Sequence, residues 1–192
     1  GSMGVYLDDC TSGQAIVGNI FQNMHWAVFI GGGRENQAVN NIFVNCQPAV
    51  HVDGRGLAPQ PVWHEMVYVT MKERLEAMHH HEPPYSIRYP ELLQLDAFYA
   101  RQDGIPPEGN VIARNLCYGG KWTEIAWHAK EEHLIIKDNL VDTNKLLSAA
   151  TLEDLQPQKD SPAWPSGFQR IPVESIGLLK ERTPRPAARF RP

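Results

Sequence analysis

The chain has 192 residues, is 42% hydrophobic and carries a formal net charge of −4. That length accommodates one domain with a sizeable core. The mild acidity and scattered Lys and Arg leave no basic face for nucleic acid or an anionic membrane, and no apolar run approaches a membrane span.

Gly1-Ser2-Met3 has the look of a cloning remnant, so the lack of a leader peptide carries no information about compartment. From there a unit of coil length recurs. Val5-Tyr-Leu returns as Val28-Phe-Ile and again as Val50-His-Val, shifts of 23 and 22. Asn19-Ile-Phe-Gln-Asn23 returns as Asn41-Ile-Phe-Val-Asn45, a shift of 22, and Asn115-Leu-Cys returns as Asn139-Leu-Val, a shift of 24. A constant period of this size predicts an all-β fold, a right-handed parallel β-helix, in which each coil is a set of short strands joined by turns. The alternation of Val5, Leu7, Val28, Ile30, Val50 and Val52 predicts strands with one buried face. Asn and Gly mark the turns, and stacked Asn side chains are expected to hydrogen-bond from coil to coil. A sandwich of repeated hairpins is the structural competitor, but it does not demand a constant period.

The repeat is interrupted over 57–109, which is expected to be a helical insertion between coils. Met71, Leu75 and Met78 fall at helical spacing within 66–78, Pro83-Pro84 is expected to stop that helix, and a second short helix is expected over 91–101. An excursion this long in a compact domain is usually functional or covers a binding surface. Tyr85, Tyr89, Trp63 and Trp122 are candidates to line a cleft beneath it, although packing is their ordinary role. The segment 156–192 reads as an extended C-terminal piece packing on the last coil, with Trp164, Phe168 and Ile176 as its plug. The cluster Arg182, Arg185, Arg189 and Arg191 reads as a frayed tail. Val5 begins in mid-pattern without a capping helix. More coils upstream are therefore expected, or self-association that covers this end. Of the three cysteines, Cys10, Cys46 and Cys117, two lie in apolar strand-like runs, and buried free thiols are expected.

Setting the coils in register yields a candidate site. Tyr6, Phe29 and His51 form one outward column, and Asp8, Gly31 and Asp53 the next. Neighbouring coils lie ~4.8 Å apart, which puts the Asp8 and Asp53 Cα atoms ~10 Å apart across a glycine that has no side chain. Two carboxylates beside a column of rings suit a sugar, since glycoside hydrolysis needs one protonated and one ionised carboxyl. Asp9 competes with Asp8, because a bulge would exchange them. His51 is placed to hydrogen-bond a hydroxyl or tune a carboxylate. Arg34 and Arg55 are placed to bind an acidic sugar or to hold an Asp ionised. The ordinary readings are a turn or cap for each Asp, sheet packing under a loop for the aromatics, and a salt bridge for each Arg. His79-His80-His81 is not expected to form a zinc site, because consecutive residues do not share a helical face. No metal and no cofactor are expected. No phosphate-binding loop surrounds Gly31-Gly32-Gly33, and no nucleophile motif is present.

Several segments also resemble the later coils of large right-handed, pectate-lyase-like β-helix proteins. They are Gly4-Val-Tyr-Leu-Asp-Asp-Cys-Thr-Ser-Gly13, Phe29-Ile-Gly-Gly-Gly-Arg34, Asn40-Asn-Ile-Phe-Val-Asn45 and Ala49-Val-His-Val-Asp-Gly-Arg-Gly56. The insertion ending in Arg88-Tyr-Pro-Glu-Leu92 and the stretches Asp160-Ser-Pro-Ala-Trp164, Ile171-Pro and Ile176-Gly-Leu178 extend the resemblance over most of the chain. The group it points to includes glycoside hydrolase family 141. The resemblance implies a carbohydrate-active protein, secreted or periplasmic and often bacterial, whose partner is a poly- or oligosaccharide. It also implies a catalytic pair of aspartates, met here by Asp8 or Asp9 and by Asp53. The departure is size, since such relatives carry many more coils before this point. A non-catalytic glycan-binding or structural module is the alternative. A polysaccharide lyase is a further one; it would need calcium and a base, for which only Arg34, Arg55 and Lys121 are candidates.

Overall fold

The protein is described by a computed structural model, and the described residues are 2–144 and 151–176. Among the described residues, twelve short strands fall into four successive sets of three, each called a coil below. The first coil holds β1 (Val5–Leu7), β2 (Ala15–Val17) and β3 (Ile20–Gln22). The second holds β4 (Val28–Gly31), β5 (Gln37–Val39) and β6 (Ile42–Val44). The third holds β7 (Val50–Asp53), β8 (Asn110–Ala113) and β9 (Leu116–Tyr118). The fourth holds β10 (Thr123–Ala126), β11 (Leu134–Lys137) and β12 (Leu140–Asp142). They form three four-stranded sheets, β1-β4-β7-β10, β2-β5-β8-β11 and β3-β6-β9-β12. All pairings are parallel and in register, with Val5 beside Val28 and Val28 beside Val50. This stacking is consistent with a parallel β-helix-like solenoid.

The repeat works because the same residue type is needed at the same place in each coil. Between the second and third strands the backbone turns through the left-handed region at Gly18, Asn40, Arg114 and Asp138 (φ +71°, 58°, 52° and 56°). The next residue is asparagine every time. Asn41 Oδ1 accepts from the Asn19 backbone N–H and its Nδ2 donates to the Ile16 carbonyl. Asn115 and Asn139 repeat both bonds one coil further on. A second ladder runs through Asn36 and Asn110, whose Oδ1 atoms accept from Gln14 and Asn36 backbone N–H groups. Each buried amide thus satisfies a turn that the sheets leave unpaired. Inside the coils, Val28, Ile30, Phe43, Val50, Val52, Ile112 and Cys117 form the core. Cys10, Cys46 and Cys117 are free and buried.

Three expectations change. The insertion does not lie between coils. It leaves the third coil after β7 and returns at β8, so one coil is opened and closed again by the Asn36–Asn110 ladder. Its first helix starts earlier than the spacing suggests, because Pro61 suits a helix N-terminus. It runs through α1 (Pro61–Glu65), a π-helical stretch (Met66–Met71) and α2 (Lys72–Ala77). It ends at the left-handed His79 (φ +53°), before the prolines are reached. The second helix is split into α3 (Tyr85–Arg88), a 3-10 turn (Pro90–Gln94) and α4 (Leu95–Arg101). Among the described residues, the C-terminal segment lies along the third sheet, on a side of the coils, and reaches the last coil at Leu140. Leu155, Ala163, Phe168, Ile171 and Val173 pack on Ile42, Val44, Leu116 and Tyr118 of the third sheet, and Gln169 exchanges hydrogen bonds with Asn40 in the second coil. Ile176 is exposed and plugs nothing. The rest of that segment, with the Arg182–Arg191 cluster, lies outside the described residues. Among the described residues, no helix is long and apolar enough to cross a membrane.

Candidate functional site

The outward face of the first sheet carries a column of rings. Tyr6 stacks on Phe29 at 4.3 Å with planes 7° apart, and Phe29 stacks on His51 at 4.7 Å and 5°. Parallel register at the coil spacing dictates this stack, since each ring stands directly over its partner in the next strand. Trp26 leans on both Phe29 and His51. Phe29 and His51 are buried and Tyr6 is 44% exposed, so the column meets solvent at Tyr6.

Next to the rings, Arg55 organises the three aspartates Asp8, Asp9 and Asp53. Its Nε and Nη2 donate to Asp53 Oδ1 and Oδ2 at 3.1 and 2.9 Å. Its Nη1 donates to Asp8 Oδ1 at 2.6 Å and to Asp9 Oδ1 at 3.0 Å. The guanidinium lies over Phe29 and Trp63, 5.4 and 4.9 Å from the ring centroids. The Gly31 floor is therefore not bare. A Cβ on Gly31 would meet Arg55 Cζ at 2.6 Å, so glycine there makes room for the guanidinium. The choice between Asp8 and Asp9 also dissolves. The chain turns left-handed at Asp9 and Cys10 (φ +43° and +59°), and one nitrogen of Arg55 takes both carboxylates.

Access separates these groups. Asp53 is 2% exposed and Arg55 4%, whereas the Asp8 and Asp9 side chains are about half exposed. Burial alone would raise the Asp53 carboxyl, but the neighbouring His51 ring and the hydrogen bonds and charge of Arg55 overcome it and hold the group below its usual value. Arg55 is held still more firmly in its charged form by Asp53 and Asp8, against the cost of burial.

Sequence reasoning missed the fourth coil. Glu124 pairs with His51 in the ladder, and Ala126 with Asp53. Because Glu124 Oε2 can only accept, the His51 ring donates to it from Nδ1, at 2.8 Å. Trp26 Nε1 donates to the same oxygen and Lys121 Nζ to Oε1. These partners, Lys121 first and then His51, bring the Glu124 carboxyl down to about 2. His51 Nε2 lies 3.9 Å from Asp53 Oδ2, so the imidazole stands between two carboxylates. Glu124 hid because the turn before β10 is one residue shorter. Val44 pairs with Tyr118 but Val50 with Thr123, so counting forward at constant spacing puts Glu124 on the inner face.

The chain matches no protein-family model, no curated protein and no solved structure.

The remaining candidates serve the fold. Arg34 is buried, donates to the Pro106 carbonyl at 2.7 Å, contacts Glu108 and lies over Phe98. It fastens the return of the insertion to the second coil. Tyr89 borders a pocket of about 280 Å³ between insertion and coils, together with Gln14, Arg34 and Leu92. Trp63 stacks near Trp127 over Arg55, and Trp122 packs edge-on to Phe43 against the core. Chemically, the face offers an exposed aromatic ring, two accessible carboxylates and a network that fixes both in place. Arg55 spends its donors on Asp8, Asp9 and Asp53 and is not available to a ligand anion.

Proposed function

We propose that this is a carbohydrate-active protein of the right-handed, pectate-lyase-like β-helix group, whose first sheet presents its outward face to a poly- or oligosaccharide. The observation that supports it best is the exposed Tyr6 ring, stiffened by stacking on Phe29, beside the half-exposed Asp8 and Asp9 carboxylates. A ring of this kind covers the C–H face of a sugar, and fixed carboxylates accept from its hydroxyls. The glycan is neutral in this reading, because the carboxylates face outward while Arg55 donates to them from all three of its nitrogens. The activity we favour is glycoside hydrolysis of the kind implied by the resemblance to family 141. Asp8 or Asp9 would act from the open side and Asp53 from behind Arg55, in a protein working outside the cytoplasm.

Non-catalytic glycan binding is the second reading, and one observation favours it. Arg55 pairs with Asp8, Asp9 and Asp53 and helps to hold the Asp53 carboxyl below its usual value, whereas hydrolysis requires one carboxyl to carry a proton. Lyase chemistry gains no support, since Arg34, Arg55 and Lys121 are each engaged by carboxylates.

The test is a panel of neutral and acidic glycans, read for binding, for new reducing ends and for ultraviolet-absorbing unsaturated products. It uses the unmodified protein, Tyr6→Ala, Asp8→Asn and Asp53→Asn. Hydrolysis lost in Asp53→Asn, with folding intact, supports the catalytic reading. Binding lost in Tyr6→Ala without turnover in any form supports the binding module. Failure to bind any neutral glycan overturns both.

A further inference from the structure

The insertion holds a second cluster of titratable side chains, outside the Arg55 network. At the end of α2 the left-handed His79 reverses the chain, so the two residues after it are free of helical geometry. The rings of His80 and His81 come to 3.8 Å centroid to centroid. Both meet Asp96, in the first turn of α4. His81 Nε2 lies 2.7 Å from Asp96 Oδ2, and His80 Nε2 lies 3.4 Å from Asp96 Oδ1. One ligand atom from each of the three residues falls within 4.8 Å of the others.

The state of His80 is the informative detail. It is 2% exposed, and its Nδ1 lies 3.1 Å from the Leu75 carbonyl oxygen. A carbonyl only accepts, so the Nδ1 proton is committed there, and a neutral ring then turns the Nε2 lone pair toward a carboxylate oxygen. Two lone pairs facing each other are satisfied only by a cation between them, either a proton or a metal ion. An imidazole whose far nitrogen is anchored on a backbone carbonyl is the usual arrangement of a metal-ligating histidine. Two imidazole nitrogens and one carboxylate oxygen suit a divalent ion of the zinc type, with ligand distances of ~2.0–2.2 Å. Tetrahedral ligands at that range stand ~3.3 Å apart, so small side-chain rotations of the exposed His81 and Asp96 complete the set. The site opens on a pocket of about 250 Å³ that also borders Lys72, Glu76 and Tyr99, leaving room for water as a fourth ligand.

We propose that His80, His81 and Asp96 form a three-ligand site for a divalent transition metal, which ties the end of α2 to the start of α4. The expectation from consecutive histidines fails here because the residues follow a helix end and are not inside the helix.

The test is calorimetric titration of the whole chain with Zn²⁺ near pH 7.5, together with the visible spectrum of the Co²⁺ form. The variants are His81→Ala and Asp96→Asn, whose sites are exposed, with His79→Ala as control and circular dichroism as the check on folding. One equivalent should bind, with a four-coordinate Co²⁺ spectrum. Affinity should fall by at least about tenfold in His81→Ala and in Asp96→Asn and stay unchanged in His79→Ala. Equal weakening in all three variants would mean adventitious capture by a histidine run and would overturn the site. So would the absence of Zn²⁺ binding, in which case a proton occupies the position between His80 and Asp96.

Discussion

The first and third sheets share one parallel register, yet their outward faces do opposite things. On the third sheet both faces are apolar. Phe21, Phe43 and Cys117 point into the coils, while Ile42, Val44, Leu116 and Tyr118 point out and are covered by Leu155, Phe168 and Ile171. A strand buried on both sides reads as a continuous apolar run, and Ile42-Phe43-Val44 is one. On the first sheet the inner positions are apolar in the first three strands, but the outer ones are Tyr6, Phe29, His51 and Glu124, followed by a carboxylate cluster on a buried guanidinium. The stacking is indifferent to what stands outside. One outer face has been used to attach the chain's own C-terminal segment, and the other holds charge and aromatic surface that its own chain leaves partly open.

The contrast can be broken from either side. The largest effect should come from Arg55→Met. It leaves Asp53 buried without its partner, and removing one member of a buried ion pair typically costs about 3–5 kcal/mol. Urea denaturation would show this as a lower midpoint, and a loss under about 1 kcal/mol would mean that Asp53 reaches solvent without Arg55. On the opposite face, Phe168→Ala should cost about 3 kcal/mol through the cavity it opens over Val44 and Leu116. It should leave untouched the glycan binding proposed for the first sheet. Joint loss of stability and binding would show that the two faces are coupled.

Asn41→Ala tests what the two faces share. It orphans the Asn19 N–H and the Ile16 carbonyl within the coil, and about 2 kcal/mol is expected from unsatisfied buried groups.

The smallest effect is the most specific. Asp53 and Glu124 titrate lower in the folded chain than in the unfolded one. Their contribution to stability is therefore complete above the unfolded values and is lost as pH falls through the folded ones. For Glu124 that window runs from 4.5 down to about 2. Glu124→Gln should therefore lower stability at neutral pH, change it least near pH 2, and so flatten the acid limb of a stability–pH curve across this range. An acid limb that keeps its slope would remove Glu124 from the network.

The architecture was readable because its determinants are local and repeated. Asn19, Asn41, Asn115 and Asn139 each follow a left-handed residue, and turn geometry alone demands that order. The register of Tyr6, Phe29 and His51 followed from the same spacing. What stayed hidden depends on contacts between distant segments or on a change of spacing. Arg55 reaches back two coils to Asp8 and Asp9, which no column alignment reveals. Glu124 is displaced by a single shortened turn. His80 and His81 meet Asp96 only because the helix stops at Ala77, and the prolines beyond suggested a later stop. The C-terminal segment looked like a plug because its apolar residues say that it packs, but not where.

The asparagine ladders have a direction. In each step the later residue supplies both groups: its oxygen takes the N–H of the coil before it, and its nitrogen reaches that coil's carbonyl. A coil just made is therefore unfinished until its successor arrives, and each arrival finishes it in a single move. Growth from the N-terminal side suits such a chain, because synthesis delivers the missing groups in the order in which they are wanted. It also lets a whole turn be added or removed without redesigning those that remain.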